Sequence, residues 1–273
     1  MTGLPFDLKG RVAIVTGANH GIGAATAEAL AACGARILVT YLRLNDPVDP
    51  GVPESYRENR ARDARGVVAS IRRSGGETVA MEADLADPAV IGQLFDTAEE
   101  QLGPVDILVN NATGWLADTF VGDRNDRLGR NLLRASAQTF DQQFAVDARG
   151  AALMISEFVR RHEDRKADWG RIVGLTSGGP QGFPGEVSYG AAKAALENYI
   201  MSAAFELAPY GITANVVYPP VTDTGWVTEE VLKGVDANPR MFHIVKPEEV
   251  AAVIAYLVSD LAWLVTGNVI RLR

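Results

Sequence analysis

The stretch "RVAIVTGANHGIGAATAEALAACGARILVTY", residues 11–41, decides the fold. It opens on a β-branched run, passes through a glycine-rich turn, continues as an alanine-rich helical pattern and closes on a second β-branched run. Strand, turn, helix and strand in that order make one βαβ unit of a parallel sheet. The turn itself, "TGANHGIG" from Thr16 to Gly23, sits where a helix N-terminus offers unpaired N–H groups and the positive end of its dipole. Glycine there lets the main chain come close to a pyrophosphate. Gly17, Asn19, His20, Gly21, Ile22 and Gly23 are therefore candidate dinucleotide contacts.

The same alternation runs on through the chain. Strand-like runs recur as "ETVAMEA", "VDILVN", "GRIVGLTS", "ITANVVYP" and "NVIRL", with helical patterns between them, including spans near 139–162, 187–208 and 247–258. The expectation is an α/β fold: a Rossmann-type, doubly wound, mostly parallel sheet of about seven strands with helices on both faces. With 273 residues, 47% hydrophobic and 22% charged, the chain fits one domain, its cofactor part about 8–112 and its catalytic and substrate part about 113–273. Two segments break the rhythm. Residues 44–60, with three prolines and mixed charge, read as a solvated loop, and residues 114–138 as either a binding lid or a disordered surface loop. The run "RRHEDRKADWG" reads as the solvated end of a helix.

A net charge of -8 without any free basic run argues against a nucleic-acid or anionic-membrane surface and for small-molecule partners. The N-terminus has no apolar core of signal length and no apolar run reaches eighteen residues, so a cytoplasmic location is expected. Cys33 lies in the small, apolar "AALAACGA" and reads as a buried structural thiol. No metal site is expected, because His20, His162 and His243 share no ligand spacing.

"TGANHGIG", "ADL" at 83–85, "NNA" at 110–112, "YGAAK" at 189–193 and "YPPVTDT" at 218–224 follow one another in an order that resembles the short-chain dehydrogenase/reductase family over almost the whole chain. The resemblance implies that Asp84 and Leu85 flank an adenine, that Asn111 and Ala112 line the ribose and pyrophosphate, and that the segment holding Pro219, Thr222 and Thr224 meets the carboxamide. Which dinucleotide is bound is set at the end of the second strand, where an acid would bind the ribose 2′-hydroxyl and repel a 2′-phosphate. That strand ends "VTYLR": Tyr41 leads to no acid, and Arg43 is near enough to pair with a phosphate. NADP(H) is the expected cofactor, with NAD(H) possible; His20 stands where many NADP-preferring relatives carry a cation, and a neutral imidazole helps less.

Tyr189 and Lys193 are four apart on one helix face with only small residues between them. A phenol of pKa about 10 needs a shift of roughly 3 units, about 4 kcal/mol, to exchange protons near neutral pH. An ammonium about 4 Å away at an effective dielectric of about 20 supplies roughly that much. The resemblance makes Tyr189 the proton donor to a substrate carbonyl and gives Lys193 the nicotinamide ribose. The carbonyl-polarising hydroxyl is Ser177 by strand context, with Thr176 the alternative by spacing, and the loop "GGPQGFPG" is one residue short of the family's. Where the family carries an asparagine that completes a water relay, this chain reads "FAVD", placing Asp147 there. An ionised carboxylate accepts but cannot donate. At about 6 Å from Lys193 it would couple by near 3 kcal/mol and offset much of the lysine's effect on Tyr189.

Trp115, Phe183, Tyr218, Trp226, Met241 and Phe242 lie in loops after strands, where open α/β sheets bind ligands, and suit a carbonyl on a hydrophobic or ring-bearing group. The expected activity is NADP(H)-dependent interconversion of a ketone and a secondary alcohol, 3-oxoacyl-[acyl-carrier-protein] reductase-like. A non-catalytic dinucleotide-binding protein on the same fold is the alternative. A homo-oligomer, dimer or tetramer, is expected. The tetramer is the less secure of the two, because the chain stops at "VIRLR" where relatives continue with a short tail.

Overall fold

The computed structural model describes residues 6–122, 124–178 and 182–273. The first half runs β1 (Val12–Val15), α1 (Gly21–Ala32), β2 (Arg36–Tyr41), α2 (Glu54–Ala61), α3 (Arg65–Arg73), β3 (Thr78–Glu82), α4 (Ala89–Gln101) and β4 (Ile107–Asn110). A small sheet follows, made of β5 (Asp118–Thr119), β6 (Arg124–Asn125) and β7 (Asn131–Arg134). Then come α5 (Ala137–Phe144), a π-helical turn (Ala145–Gly150), α6 (Ala151–Asp164), β8 (Gly170–Leu175), α7 (Val187–Glu206), β9 (Ile212–Tyr218), α8 (Glu229–Asp236), α9 (Pro247–Leu257) and β10 (Val269–Arg271).

Seven strands pair in the order β10-β9-β8-β4-β1-β2-β3, every pair parallel. Because side chains alternate across a strand, a sheet covered on both faces must be apolar at every position. β1 shows this directly: Ala13 and Val15 enter a core with α1, α3 and α9, while Val12 and Ile14 enter a second core with α4, α6 and α7. Phe95 of α4 and Phe158 of α6 are the largest side chains fully buried. Cys33 is buried in the first core. No helix of the described residues is long and apolar enough to cross a membrane.

Three sequence expectations need correction. Residues 44–60 are not simply a solvated loop, since α2 forms within them and buries Arg60. Prolines and charge hid a helix whose stability comes from tertiary contacts. Asn59 Nδ2 donates to the Thr224 carbonyl at 3.1 Å, Ser55 Oγ to the Gly225 carbonyl at 2.9 Å, and Asn19 Nδ2 to the Arg62 carbonyl at 2.8 Å. Residues 114–138 are built rather than disordered: β7 pairs with both β5 and β6. The 160–170 run is only partly solvated, because Arg161 ion-pairs with Asp96 and Glu99 across to α4 and with Glu157 on its own helix, and buried His162 bonds the Tyr210 carbonyl at 3.0 Å. Part of the shortened loop, residues 179–181, lies outside the described residues.

The two insertions meet. Asp49 accepts from the Asn131 N–H at 3.0 Å, and Gly51 lies so close to Gly129 and Arg130 that a Cβ there would overlap their backbone. Gly51→Val should therefore force them apart and cost about 1–3 kcal/mol. Urea unfolding of the variant checks the loss, and hydrogen exchange should quicken at 126–134 while the main sheet stays protected.

Candidate active site

At the carboxyl ends of β1, β2, β4, β8 and β9 lies a cavity of 1290 Å³. Open α/β sheets bind ligands at this edge. One end is the glycine-rich loop. His20 is the N-cap of α1 without a side-chain cap bond, which leaves the helix N–H groups available. Gly23 is held by close approach, since a Cβ would overlap the Gly17 carbonyl and the Asn111 amide. Asn111 Nδ2 donates to the carbonyls of Thr16 and Gly17 at 2.9 and 3.0 Å, and the Thr16 hydroxyl accepts from the N–H groups of Asn111 and Ala112, both at 2.9 Å. The "NNA" asparagine thus fastens the end of β4 to the loop. Gly17, Asn19, His20, Gly21, Ile22, Tyr41, Asp84, Leu85, Asn111, Ala112, Pro219, Thr222 and Thr224 line the cavity, whereas Gly23 packs behind it. This concave edge of uncapped N–H groups and closely approached backbone fits a dinucleotide pyrophosphate.

Arg43 departs from expectation. Its guanidinium is bound bidentately by Glu82 at 2.8 to 3.1 Å and does not line the cavity. The parallel register pairs Tyr41 with Glu82, which puts the carboxylate within reach of an arginine two residues on. His20 is neutral as well: burial, then Arg60 and Arg62, lower its pKa to about 4.

The chemical end is carried by β8 and α7. Ser177 stands beside the Tyr189 phenol and pulls its pKa down, whereas Thr176 donates to the Lys193 carbonyl at 3.4 Å. The Phe183 ring lies 5.9 Å from that of Tyr189, and Lys193 Nζ lies 5.7 Å from the Tyr189 ring centroid. Asp147 is the largest correction. It sits behind Lys193, outside the cavity lining, with Oδ1 2.8 Å from Nζ; this is a direct ion contact and leaves no room for a bridging water. Among the described residues Oδ1 has no directed hydrogen bond, while Oδ2 accepts from Gln143 at 2.6 Å, the Gly114 N–H at 2.9 Å and Thr113 at 3.1 Å. The π turn carries Asp147 into this position between α5 and α6.

The ion pair changes the electrostatics from those expected. Lysine is expected to lower the phenol, yet burial, then the charges of Asp147 and Glu186, push Tyr189 well above the ordinary tyrosine range, and only the neighbouring Ser177 hydroxyl pulls the other way. Glu186 is itself raised by burial, against the pull of Arg130 at 2.5 Å and Trp115 Nε1 at 3.3 Å.

Over this end stands a roof that the sequence did not reveal. Trp115 has two guanidinium groups near its ring, Arg60 at 5.8 Å and Arg130 at 5.6 Å, with the Tyr56 ring edge-on at 6.1 Å. Arg60 pairs with Asp46 at 2.5 Å, and Arg130 with Asp126 at 2.6 Å. Phe183, Tyr218, Trp226 and Met241 also line the cavity, but Phe242 is 81% exposed and does not.

Side chains of Lys193 and Asp147 are 3% and 0% exposed, so removing either partner strands a buried charge. Lys193→Met should destabilise the fold by about 3–5 kcal/mol in urea unfolding, and adding Asp147→Leu should recover most of that loss.

Residues 55–272 match the family model described as Enoyl-(Acyl carrier protein) reductase. A 3-oxoacyl-[acyl-carrier-protein] reductase of Synechocystis is 32% identical over 93% of this chain and 91% of its own. A chloroplastic NADPH-dependent aldehyde reductase-like protein of Arabidopsis thaliana is 31% identical over 97% of this chain and 94% of its own. A short-chain dehydrogenase from Burkholderia cenocepacia, solved in complex with NADP, superposes with a TM-score of 0.79 at 29% identity, covering 97% of both chains. With the glycine-rich loop at one end of the cavity, the tyrosine and lysine at the other and relatives matched almost end to end, the chain belongs to the short-chain dehydrogenase/reductase family.

Proposed function

We propose that this protein is an NADP(H)-dependent oxidoreductase that reduces a ketone to a secondary alcohol, with Tyr189 as the general acid. The observation that carries the reading is the convergence of the Ser177 hydroxyl, the Tyr189 phenol and the Lys193 ammonium on one wall of the cavity whose far end is the α1 N-terminus. Bound nicotinamide would supply hydride to the carbonyl carbon. Ser177 holds the carbonyl oxygen and the Tyr189 O–H gives it a proton as negative charge develops there. Lys193, on the same helix face as Tyr189, would hold the sugar side of the dinucleotide, and Asp147 acts through Lys193 as a positioning residue. A phenol held well above its ordinary range stays protonated at neutral pH, which suits proton donation to a carbonyl better than proton removal from an alcohol.

The walls indicate the substrate. Trp115, Tyr56, Phe183, Tyr218, Trp226 and Met241 accommodate a carbonyl on a hydrophobic or ring-bearing group, and the likeness to a 3-oxoacyl-[acyl-carrier-protein] reductase supports a 3-oxoacyl chain as one candidate. We assign the apolar surface next to the edge strand β10, with Leu261, Trp263 and Leu264 each more than half exposed, to a second copy of the chain.

Tyr189→Phe should lower ketone reduction by about 10²- to 10⁴-fold while NADPH affinity stays within about twofold. A wild-type protein that binds NADPH but oxidises it with no carbonyl in a broad panel would instead be a non-catalytic nucleotide-binding protein. The pH dependence has a definite sign. Reduction needs the protonated phenol and falls as pH rises through its pKa. Asp147→Asn removes a charge that raises that pKa and frees the Lys193 charge to lower it, so the alkaline fall in kcat/KM should move to lower pH.

A further inference from the structure

The carboxylate of Glu186 is a buried group in the cavity wall that the reduction itself does not use. It stands at the start of α7, three residues before Tyr189, and is only 6% exposed. The backbone fixes its place: the Glu186 N–H donates to the Phe183 carbonyl at 3.0 Å, and the Glu186 carbonyl accepts from the Gly190 N–H at 2.9 Å. Two residues on, buried Asp118 of β5 accepts from the N–H and the hydroxyl of Ser188 at 2.9 and 2.5 Å, so the 114–138 insertion grips the first turn of α7. The two oxygens of Glu186 are unequal. Oε1 accepts from Arg130 Nη1 at 2.5 Å and from Trp115 Nε1 at 3.3 Å, whereas among the described residues no donor meets Oε2. An apolar substrate filling this end would strip Oε2 of water and return nothing, which costs what an unmade buried hydrogen bond costs. A substrate O–H at that place would remove the cost. Arg60, Arg127 and Arg130 also line the cavity and disfavour an ammonium as the donor, while the rings of Trp115 and Tyr56 suit a flat, ring-bearing body.

We propose that Glu186 is a specificity-determining residue whose Oε2 accepts a hydrogen bond from a substrate hydroxyl, so that the site prefers ring ketones bearing a free hydroxyl; the carbonyl itself rests on the oxidoreductase reading. Glu186 and Tyr189, three apart at the start of one helix, then hold two points of one substrate: the phenol meets the carbonyl oxygen and the carboxylate meets the hydroxyl. Arg130, which Asp126 also holds at 2.6 Å, keeps Oε1 in place while Oε2 takes the new donor.

Hydroxytetralone isomers, their methoxy counterparts and unsubstituted tetralone test this, since they differ only in whether and where an O–H can donate. In the wild-type protein at least one hydroxytetralone should exceed both its methoxy counterpart and tetralone in kcat/KM by about ten- to a hundredfold, chiefly through KM. In Glu186→Gln the amide oxygen keeps Arg130 and the amide nitrogen stands where Oε2 stood, a donor in place of an acceptor, so the ratio should fall to within about twofold of one. No preference in any wild-type comparison, or a preference that survives Glu186→Gln because every ketone is weakened equally or not at all, would overturn the proposal. Titration of the same ketones by quenching of tryptophan fluorescence reads the ratio without turnover, because Trp115 and Trp226 line the cavity. A hydroxyl preference in binding that depends on Glu186, in a protein that reduces none of these ketones, would overturn the oxidoreductase reading alone.

Discussion

The buried contact between Lys193 and Asp147 is the constraint around which the chemical end is assembled. One carboxylate joins three elements: α7 through Lys193, the segment between α5 and α6 through the π turn and Gln143, and the exit of β4 through Thr113 and Gly114. Such a pair stabilises only when its remaining lone pairs are met, and here three donors meet Oδ2. The consequence runs directly to function. An ammonium whose charge is balanced at 2.8 Å cannot also lower a neighbouring phenol, so Tyr189 remains a strong holder of its proton.

The other end of the site follows from close backbone approach. Gly23 brings the helix start against the loop, and the Asn111 amide stitches β4 to the same loop, so the dinucleotide edge is held by close contact and directed hydrogen bonds. Over the chemical end lies the roof. It is made of the two insertions, which touch at Gly51 and Asp49 and bring paired arginines near the Trp115 ring. A roof held by partly buried ion pairs keeps its shape through directed hydrogen bonds, where an apolar lid would rely on area alone.

Much of this was legible in the sequence, and what was not has a physical reason. The seven strands announced themselves because a parallel sheet covered on both faces is apolar at every position, and the glycine-rich loop because its spacing is a steric requirement. Three misreadings share another cause. α2 looked like a loop because its few apolar residues give no helical stripe; distant carbonyls hold it. Arg43 looked free because strand register, which brings Glu82 beside it, is a tertiary fact. Asp147 is visible in the sequence as a departure at the asparagine position, but the π turn that carries it onto Lys193 leaves no mark in residue pattern, so a coupling weighed at about 6 Å proves to be a direct ion contact.

The central claim is that Asp147 neutralises Lys193 and leaves the Tyr189 phenol protonated far into the alkaline range. Ultraviolet absorbance titration of the cofactor-free wild-type protein, with Tyr189→Phe as the reference that isolates this one phenol, reads it directly. The account predicts that the phenol missing from the variant ionises above the ordinary tyrosine value of about 10. Ionisation below that value, toward neutrality, would show a lysine acting on the tyrosine unopposed and would contradict it.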